Sequence, residues 1–470
     1  MRHLVGQSRQ QVSLLPESLD DFVTADAPVR VIDAFVDTLD VEALGFDKAV
    51  PKDTGRKPYH PGDLLKLYVY GYLNRVSTSR RLERECQRNV EVMWLLGRLA
   101  PDFKTIADFR KDNPQAIRGA CRAFIEFCRE TQLLAGKLVA IDGSKLQAAA
   151  SLEPTLTRKI LERDRVELEQ QVARYLEQLD RADQGEGSEP LERERVQGAL
   201  ERLARQRERL DRVEREMDAC GREEYCEVEP EARLMRGPQG TTVGYNVQSA
   251  VDAETRLIVH HEVSNEQGDT RLLWPVARGA QAALGVERLE VLADGGYANG
   301  EHLEACDQAG ITATVPRRVI PGSRAGLYQK CDFDYDAERD LYRCPAGEEL
   351  HHAGVDRHRK LHLYRRKGCD QCPLQARCTP GNTRMVTRHF FEAAYARSEA
   401  RLEADPRLMS RRMSIAERPF AVLKQVLAFK RFSCRGLKGA GTEMAIAVLG
   451  YNLLQMIQRL GAPRLIALMG

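Results

Sequence analysis

From residue 137 the chain reads Lys137-Leu-Val-Ala-Ile-Asp142-Gly-Ser-Lys145, an apolar run with β-branched residues that is closed by an acid and a glycine. Such a run predicts a buried strand that delivers Asp142 to its carboxyl-terminal edge. The same construction returns 152 residues later as Leu289-Glu-Val-Leu-Ala-Asp294-Gly-Gly-Tyr297. We therefore expect two buried strands, each of which ends in an Asp-Gly pair.

The two aspartates predict a cation site if their strands are neighbours. Carboxylates that lie side by side repel each other unless a cation lies between them, and sites with only oxygen ligands suit Mg²⁺ or Mn²⁺. The alternative is a pair of unrelated strand-to-loop turns, because Asp-Gly is common turn chemistry. The aspartates alone leave both interpretations open.

The composition indicates a globular protein of two or three domains. The chain has 470 residues, of which 43% are hydrophobic and 30% are charged. Its first residues do not begin a signal peptide and it contains no apolar span of 18 residues, so we expect a cytoplasmic protein without a membrane partner. Its twelve cysteines are then not expected to form disulfides, and clustered ones need a metal or redox explanation.

Charge is distributed unevenly along the chain. The formal net charge is +2, but residues 151–225 hold 20 acids against 15 Lys and Arg, which leaves +7 for the remainder. Residues 401–438 hold ten Lys and Arg against three acids. This concentration indicates a polyanionic partner, with an ordinary solvated face as the alternative.

Residues 1–135 predict a helical domain. Pro61 and an acid open one helix that runs to Asn74, and a short polar turn leads to a second, Arg-rich helix at residues 80–89. The pair is similar to a helix-turn-helix, whose Arg side chains can contact phosphates and base edges. Helical pairs without DNA are also common, so both interpretations stay open. The DNA-binding candidates on this second helix are Arg80, Arg81 and Arg84.

A highly charged segment at residues 151–225 keeps apolar residues at heptad spacing. One seam runs from Leu161 to Leu179 and another from Val196 to Met217, with a Gly-rich turn at residues 185–190 between them. This pattern predicts an antiparallel helical hairpin. Its role is either a spacer or dimerisation element or a DNA-contacting arm.

Strand patterns resume at residues 242–251 and 257–263, which predict a β-hairpin. Helices and strands then alternate as far as Val315, with the strand that ends at Asp294 among them. The order predicts a mixed α/β sheet with the two acids at one edge, where sites of such sheets lie.

Residues 321–380 predict a small, irregular, cysteine-rich module. Two-residue and five-residue spacings among its cysteines suit a tetrahedral Zn²⁺ site, and reduced cysteines without metal are the alternative. The candidate zinc ligands are Cys344, Cys369, Cys372 and Cys378, with Cys331, His351 and His352 as competitors.

The last region predicts helices, one of which carries Glu417 and Lys424. These residues are seven apart and so share a helix face. A carboxylate and a cation on one face can complete a metal site and bind phosphate. A surface glutamate beside Pro419 is the alternative.

Three segments, in this order, resemble the motifs of bacterial DDE insertion-sequence transposases with an InsH-like N-terminal domain. The segments are Ala-Ile-Asp142-Gly-Ser-Lys, Leu-Ala-Asp294-Gly-Gly-Tyr, and Ala-Glu417-Arg-Pro-Phe followed by Lys424. Other stretches also look like this group, among them Pro-Gly-Asp-Leu-Leu-Lys, Gly-Tyr-Asn-Val-Gln and Cys-Pro-Leu-Gln-Ala-Arg-Cys-Thr. The resemblance thus covers nearly the whole chain.

The resemblance implies an α/β fold with an RNase H-like mixed-sheet core, in which the first two acids lie on strands and the third on a helix. The implied organisation is a helical DNA-binding domain at 1–135, a catalytic core from 136–150, 226–320 and 381–470, a hairpin insert at 151–225, and a Cys-rich insert at 321–380.

The resemblance also implies an activity. Asp142, Asp294 and Glu417 would hold two Mg²⁺ (or Mn²⁺) ions about 3.5–4 Å apart for DNA cleavage and strand transfer. The implied partner is double-stranded DNA, both transposon ends and target, bound by a homodimer in the synaptic complex and in association with the nucleoid.

The third motif departs from the usual pattern of the group, which often has a Tyr and a further basic residue before the acid and Glu-His-Pro-Phe-Gly at it. The remaining candidates for binding DNA phosphates are Arg411, Arg412, Arg418 and Lys424. Two alternatives to a transposase stay open: a nuclease of the same fold without strand transfer, and a non-catalytic DNA-binding derivative.

Overall fold

The computed structural model describes most of the chain. The described residues are 18–54, 57–134, 136–152, 155–184, 190–237, 240–317 and 326–470. Among them, no helix is both long and apolar enough to cross a lipid bilayer.

Helices dominate the described part of the N-terminal region, as the sequence predicts. They are α1 (Pro28–Asp37), α2 (Pro61–Leu73), α3 (Ser79–Arg88), α4 (Val90–Leu95), α5 (Phe103–Asp112) and α6 (Pro114–Glu130). Proline fits the first position of α1, α2 and α6 because its missing N–H would be unpaired there anyway. The Asp102 side chain caps α5 by accepting from two backbone N–H groups. Tyr68 of α2 and Phe124 of α6 are fully buried in the core that these helices share.

A helical hairpin follows the first strand of the central sheet. The elements here are β1 (Leu138–Gln147), β2 (Thr155–Thr157), α7 (Arg158–Gln184), α8 (Pro190–Cys220) and β3 (Glu224–Cys226). Ion pairs Arg158–Asp218 and Arg165–Asp211 show that α7 and α8 run antiparallel. The predicted seams pack into a separate core that holds Leu161, Leu168, Leu203, Leu210, Val213 and Met217. The Leu179 side chain and residues 185–189 of the predicted turn lie outside the described residues.

The central sheet is mixed, as predicted. It joins β1 to β4 (Arg233–Gly237), β5 (Gly240–Asp252), β6 (Ile258–Ser264), β7 (Leu289–Leu292) and β8 (Ile311–Thr314), with α9 (Leu273–Leu284) and α10 (Gly300–Gln308) as connections. The strand order is β6–β5–β1–β7–β8, and β4 pairs with the first residues of β5. Strands β6, β5 and β1 are antiparallel, whereas β1, β7 and β8 are parallel.

Strand β1 is longer than predicted. It passes Asp142 and continues to Gln147, because β5 pairs with it from Val139–Asp252 to Gln147–Gly244. Asp142 therefore lies within the strand rather than at its end. Asp294 comes two residues after the last residue of β7, at the carboxyl end of this strand as predicted.

The cysteine-rich region is more regular than predicted. It forms a second sheet, fully antiparallel, in the order β9–β10–β11–β12–β13. The strands are β9 (Asp334–Asp336), β10 (Leu341–Arg343), β11 (Glu349–Asp356), β12 (Leu361–Lys367) and β13 (Thr383–His389). A small core that includes Phe333, Tyr342, Leu350, Tyr364 and Val386 lies against it. Aromatic side chains thus supply burial that the sparse aliphatic residues did not suggest.

Four helices complete the chain: α11 (Glu392–Ala404), α12 (Leu408–Ala421), α13 (Gly436–Leu460) and α14 (Ala462–Met469). Helix α12 packs on β1, β5 and β7 and runs into a π-helical turn at Val422–Val426. Helix α13 packs against α2, α6 and β6, which explains why it is buried over most of its length. The packing of α12 across β1 determines which of its side chains reach Asp142.

Candidate active site

Asp142 and Asp294 lie close together because β1 and β7 are parallel neighbours. Arg412 of α12 lies between them, with Nη2 at 2.5 Å from Asp142 Oδ1 and 3.5 Å from Asp294 Oδ2. One guanidinium therefore bridges the two carboxylates. The cation that the sequence predicts between the aspartates is, in this structure, a side chain of the protein itself.

Burial has the largest effect on the ionisation of Asp142. It raises the pKa of the carboxyl, and the neighbouring charge of Asp294 raises it further. The charge of Arg412 and hydrogen bonds from the Gly143 N–H and from Arg412 act in the opposite direction, and the resulting pKa is about 6. A carboxylate in this environment is stabilised by any cation that can reach it.

Arg412 is almost fully buried, with a side-chain exposure of 9%. Its Nε atom is also buried and has no hydrogen-bond partner among the described residues. In this arrangement its guanidinium is directed to the aspartates and not to the surface. Contact between Arg412 and a DNA phosphate therefore stays a prediction, and it requires the side chain to leave the aspartates.

Lys424 also reaches β1 from the chain that follows α12. Its Nζ donates to Ser144 Oγ at 2.5 Å. Burial lowers the pKa of Lys424, and the negative charge of Asp142 opposes this shift. Lys424 of the third motif therefore lies beside Asp142 of the first motif, although the two residues are 282 positions apart in the sequence.

Glu417 has different surroundings. It is exposed on α12 and forms no hydrogen bond or ion pair with another described residue. It follows Arg412 by five residues, which turns the helix through about 500°, so the two side chains leave α12 about 140° apart. Arg412 faces the aspartates, and the structure does not bring Glu417 into contact with them. Within the described ranges, no group of three or more His, Cys, Asp or Glu is arranged to hold a metal ion.

Sequence reasoning missed a further carboxylate, Asp269, in the loop between β6 and α9. Its Oδ1 accepts hydrogen bonds from Lys145 Nζ, Asn246 Nδ2 and Gln248 Nε2 at 3.1, 2.7 and 3.0 Å. The donors come from β1 and β5, so Asp269 fastens its loop to these two strands. The sequence signal is slight, because Gly268-Asp269 reverses the Asp-Gly order of the two motifs.

Tyr297, of the second motif, lies behind the aspartates. Burial raises its pKa well above the ordinary value, and the charges of Asp269, Asp142 and Asp294 add to this effect. The protonated hydroxyl donates a hydrogen bond to Gln248 Oε1. Tyr297 thereby links the turn after β7 to strand β5.

The predicted DNA-binding arginines of α3 are exposed. Arg80 places its guanidinium over the Phe103 ring at 5.3 Å, and Arg84 Nε donates to the carbonyl of Arg80 at 3.4 Å. Within the described chain, Arg80, Arg81 and Arg84 form no ion pair with a carboxylate. Their charges are therefore available to an external anion.

Arg411 and Arg418 lie on the flank of α12 that faces Arg256. Burial lowers the pKa of Arg256, and the charges of Arg418 and Arg411 lower it further. The structure thus gathers three arginines that are distant in the sequence. They form a basic cluster that is separate from the Arg412 bridge.

The four cysteines proposed as zinc ligands are neighbours. Burial raises the pKa of Cys378, and the charges of Cys344, Cys369 and Cys372 add to the rise, whereas Arg384 opposes it. Cys369 and Cys378 are buried, and the other two are partly buried. The structure therefore brings the predicted set into one region but does not arrange it as a metal site.

Two family models match the chain. One is described as a transposase domain (DUF772) and matches residues 17–112, and the other is a transposase DDE domain and matches residues 343–457. The second match includes Glu417 and Lys424, whereas Asp142 and Asp294 lie outside both. Together they support an insertion-sequence DDE transposase, so the predicted resemblance to this group is confirmed.

No match was found among the curated proteins. Among solved structures, the chain is similar to a piggyBac transposase in a cryo-EM synaptic complex with hairpin DNA. The identity is 10%, the alignment covers 92% of this chain and 75% of that chain, and the TM-score is 0.32. A likeness of this size carries no inference about the site.

Proposed function

We propose that this transposase cuts DNA at the ends of an insertion sequence and joins those ends to target DNA. Asp142, Asp294 and Glu417 would serve as ligands of divalent cations. The observation that carries the proposal is the pair of aspartates on neighbouring parallel strands, bridged by one guanidinium. Such a pair requires a positive charge between its members, which is the environment that a catalytic cation occupies.

The positions of the acids support an RNase H-like core. Asp142 lies on β1, Asp294 follows β7, and Glu417 lies on α12. The family resemblance implies the same distribution, with two acids on strands and one on a helix. We propose on this basis that the central sheet and α11–α14 form the catalytic core, with α1–α6 as the DNA-binding region.

The donor set fits the implied metal. Carboxylate oxygens are the ligands that Mg²⁺ and Mn²⁺ prefer, and Asp142 and Asp294 already present theirs to a shared cation. Two bound Mg²⁺ ions would activate water or a DNA 3′-hydroxyl and stabilise the leaving oxygen. The exposed carboxylate of Glu417 would complete the ligand set.

The surrounding residues then have separate tasks. Arg412 keeps Asp142 and Asp294 charge-balanced in the free protein. Lys424 holds a positive charge beside Asp142, where an oxygen of the reacting phosphate would approach. Cations placed where charge develops stabilise phosphoryl transfer.

DNA ends would bind to α3 through Arg80, Arg81 and Arg84, which are exposed and without carboxylate partners in the described chain. The basic cluster of Arg411 and Arg418 offers a second contact region. Two ends must meet for strand transfer, so we propose a homodimer on paired ends, within the nucleoid. The cysteine set would hold one structural Zn²⁺, because its four thiols lie in one region of the second sheet.

A strand-transfer assay tests this function against the nuclease alternative. Purified protein is incubated with paired transposon ends and a supercoiled target plasmid, in Mg²⁺ or in EDTA. We expect ends cut to 3′-hydroxyls and joined to the plasmid in Mg²⁺ only. If the protein cuts intact ends but does not join pre-cleaved ends to the plasmid, the nuclease alternative is favoured. Binding without cutting would favour the non-catalytic derivative.

A further inference from the structure

We propose that the cleft between α6, β6 and the start of α13 binds phosphates of the DNA strand that flanks the cut site. This inference rests on the proposed function, and it adds a contact surface distinct from α3. The cleft has a volume of about 830 Å³. Its polar lining includes Gln115, Arg118, Arg122, His260, His261, Glu262 and Lys438.

The positive charge in the cleft is largely unbalanced. Arg118 and Arg122 lie one turn apart on α6, both are exposed, and neither forms a hydrogen bond or ion pair with another described residue. Burial lowers the pKa of Arg118, and the like charge of Arg122 lowers it further, while Glu262 opposes the shift. Glu262 is the carboxylate of the lining, and burial raises its pKa. Two guanidinium groups in this position are stabilised by an external anion.

The histidines contribute hydrogen-bonding groups without charge. Burial and then the Arg122 charge lower the pKa of His260 to about 4. Burial, His260 and Arg118 lower the pKa of His261 to about 3. Both imidazoles are neutral at pH 7, so each can donate one hydrogen bond to a phosphate or sugar oxygen.

The packing of Arg118 shows that the cleft is built from several elements. A Cβ added at Gly441 of α13 would lie 2.1 Å from Arg118 Nη2, so the guanidinium packs directly on that helix. Lys438 lies one turn earlier on α13 and lines the same space. Cations from the helical region and from the C-terminal helices thus meet over the edge strand β6.

The cleft is at the right distance from the aspartates for neighbouring phosphates. Asp142 pairs with Ser249 of β5, and Ser249 pairs with His261 of β6. Directly paired residues point to the same face, and strands lie about 4.8 Å apart, so the His261 backbone is about 10 Å from that of Asp142. DNA rises about 3.4 Å per nucleotide, so this separation equals the length of about three nucleotides of one strand.

The test compares the double variant Arg118→Ala/Arg122→Ala with wild-type protein on transposon-end DNA. Two lost phosphate contacts make the slope of log K against log salt shallower by about 1–2. Arg118→Lys/Arg122→Lys keeps the charges and should keep the slope. The charge-matched control Arg202→Ala/Arg205→Ala, on exposed α8 positions, should bind like wild type. A photo-crosslinking residue in place of Gln115 should mark nucleotides within about three of the cut.

The outcomes separate this inference from the proposed function. An unchanged slope, with no crosslink from position 115 while wild-type protein still cuts the ends, overturns the cleft and leaves the transposase function standing. Crosslinks only to DNA far from the cut also overturn it. Wild-type protein that neither binds nor cuts the ends overturns both.

Discussion

At the scale of single residues, Arg412 of α12 balances the negative charges of Asp142 and Asp294. Arg412 is buried between two carboxylates, and burial alone would leave Asp142 protonated at higher pH than usual. Removing one member of a buried ion pair leaves the other charge uncompensated, which costs more than the pair contributes when intact. A divalent cation that binds Asp142 and Asp294 would therefore have to replace the positive charge that Arg412 supplies.

The variant Arg412→Ala tests this exchange. In EDTA at pH 7.5 we expect the free energy of unfolding to fall by about 3 kcal/mol, because two carboxylates lose their shared cation. Mg²⁺ at millimolar concentration should restore much of the melting temperature, since it can take the same place. The exposed neighbour serves as control: Arg411→Ala should change stability by less than about 0.5 kcal/mol. A variant as stable as wild type in EDTA would show that the Arg412 bridge does not stabilise the folded protein.

Sequence patterns reveal some of these residues and hide others for a physical reason. Asp142 and Asp294 could be predicted because an apolar run and an Asp-Gly pair are local signals. Asp269 and the bridging contacts of Arg412 could not, because their partners are set by tertiary packing: the Arg412–Asp142 pair spans 270 residues. The sequence predicted Arg412 only as a candidate for binding DNA phosphates. The helical position of Glu417 was predicted, but its exposure was only one of two alternatives, since helix spacing alone does not fix which face of α12 meets the sheet.

At the scale of secondary-structure elements, α3 is the predicted recognition helix. The triple variant Arg80→Ala/Arg81→Ala/Arg84→Ala should lower affinity for transposon ends and flatten the salt slope by about 2–3. The reason is that exposed arginines without partners displace counterions from phosphates. Band shifts at several salt concentrations measure the slope.

The control for α3 is the hairpin triple Arg202→Ala/Arg205→Ala/Arg207→Ala, which removes the same charge from exposed α8 positions. It should leave binding unchanged. If the hairpin triple changes the slope and the α3 triple does not, the DNA-contacting arm is the hairpin and the assignment of α3 is wrong.

Helix α11 is tied to the preceding chain through Glu392. Burial would raise the pKa of Glu392, but hydrogen bonds and charges from Arg317 and Lys330 outweigh burial and lower the pKa to about 2. Because the folded pKa is depressed, the stabilisation is present above pH 4.5, the ordinary pKa, and is lost as the pH falls towards 2. Arg317 and Lys330 are each about one-third exposed, so solvent screening reduces the gain.

We therefore expect Glu392→Gln to lower stability by about 2 kcal/mol at pH 7. The difference from wild type should shrink as the pH falls from 4.5 towards 2, and melting curves across this range measure it. Glu399→Gln is the control on the same helix. It should change stability less, because Glu399 lies farther from Arg317, at 3.9 Å, and is more exposed than Glu392. A difference that grows on acidification would contradict the assigned pKa shift.

At the scale of the whole molecule, the order of segments matters because the acids come from three distant parts of the chain. The second sheet lies between Asp294 and Glu417 in sequence and has a small aromatic core of its own. The sequence predicted a small, irregular module there, whereas Tyr342 and Tyr364 help to form a core beneath a regular sheet. Composition alone did not reveal this core because its members are mostly aromatic and widely spaced in the sequence.

Zinc remains a prediction with a clear measurement. Elemental analysis should find about one zinc per chain, and Cys369→Ser/Cys372→Ser should lose it and melt earlier. Metal binding to thiolates is coupled to the ordering of the loops that carry them. Cys220→Ser, which removes an exposed thiol from α8, should keep the metal. Active protein purified without zinc would leave these four residues as reduced cysteines.

The most direct measurement is end cleavage by Asp142→Asn, Asp294→Asn and Glu417→Gln in Mg²⁺, with binding to the same DNA measured in parallel. We expect each variant to bind transposon ends like wild type and to lose both cleavage and strand transfer, because each removes a carboxylate from the proposed metal site. Glu266→Gln, an exposed acid in the loop that carries Asp269, should keep full activity. Mg²⁺-dependent cleavage at the wild-type rate by Asp142→Asn or Asp294→Asn would contradict the assignment of this site.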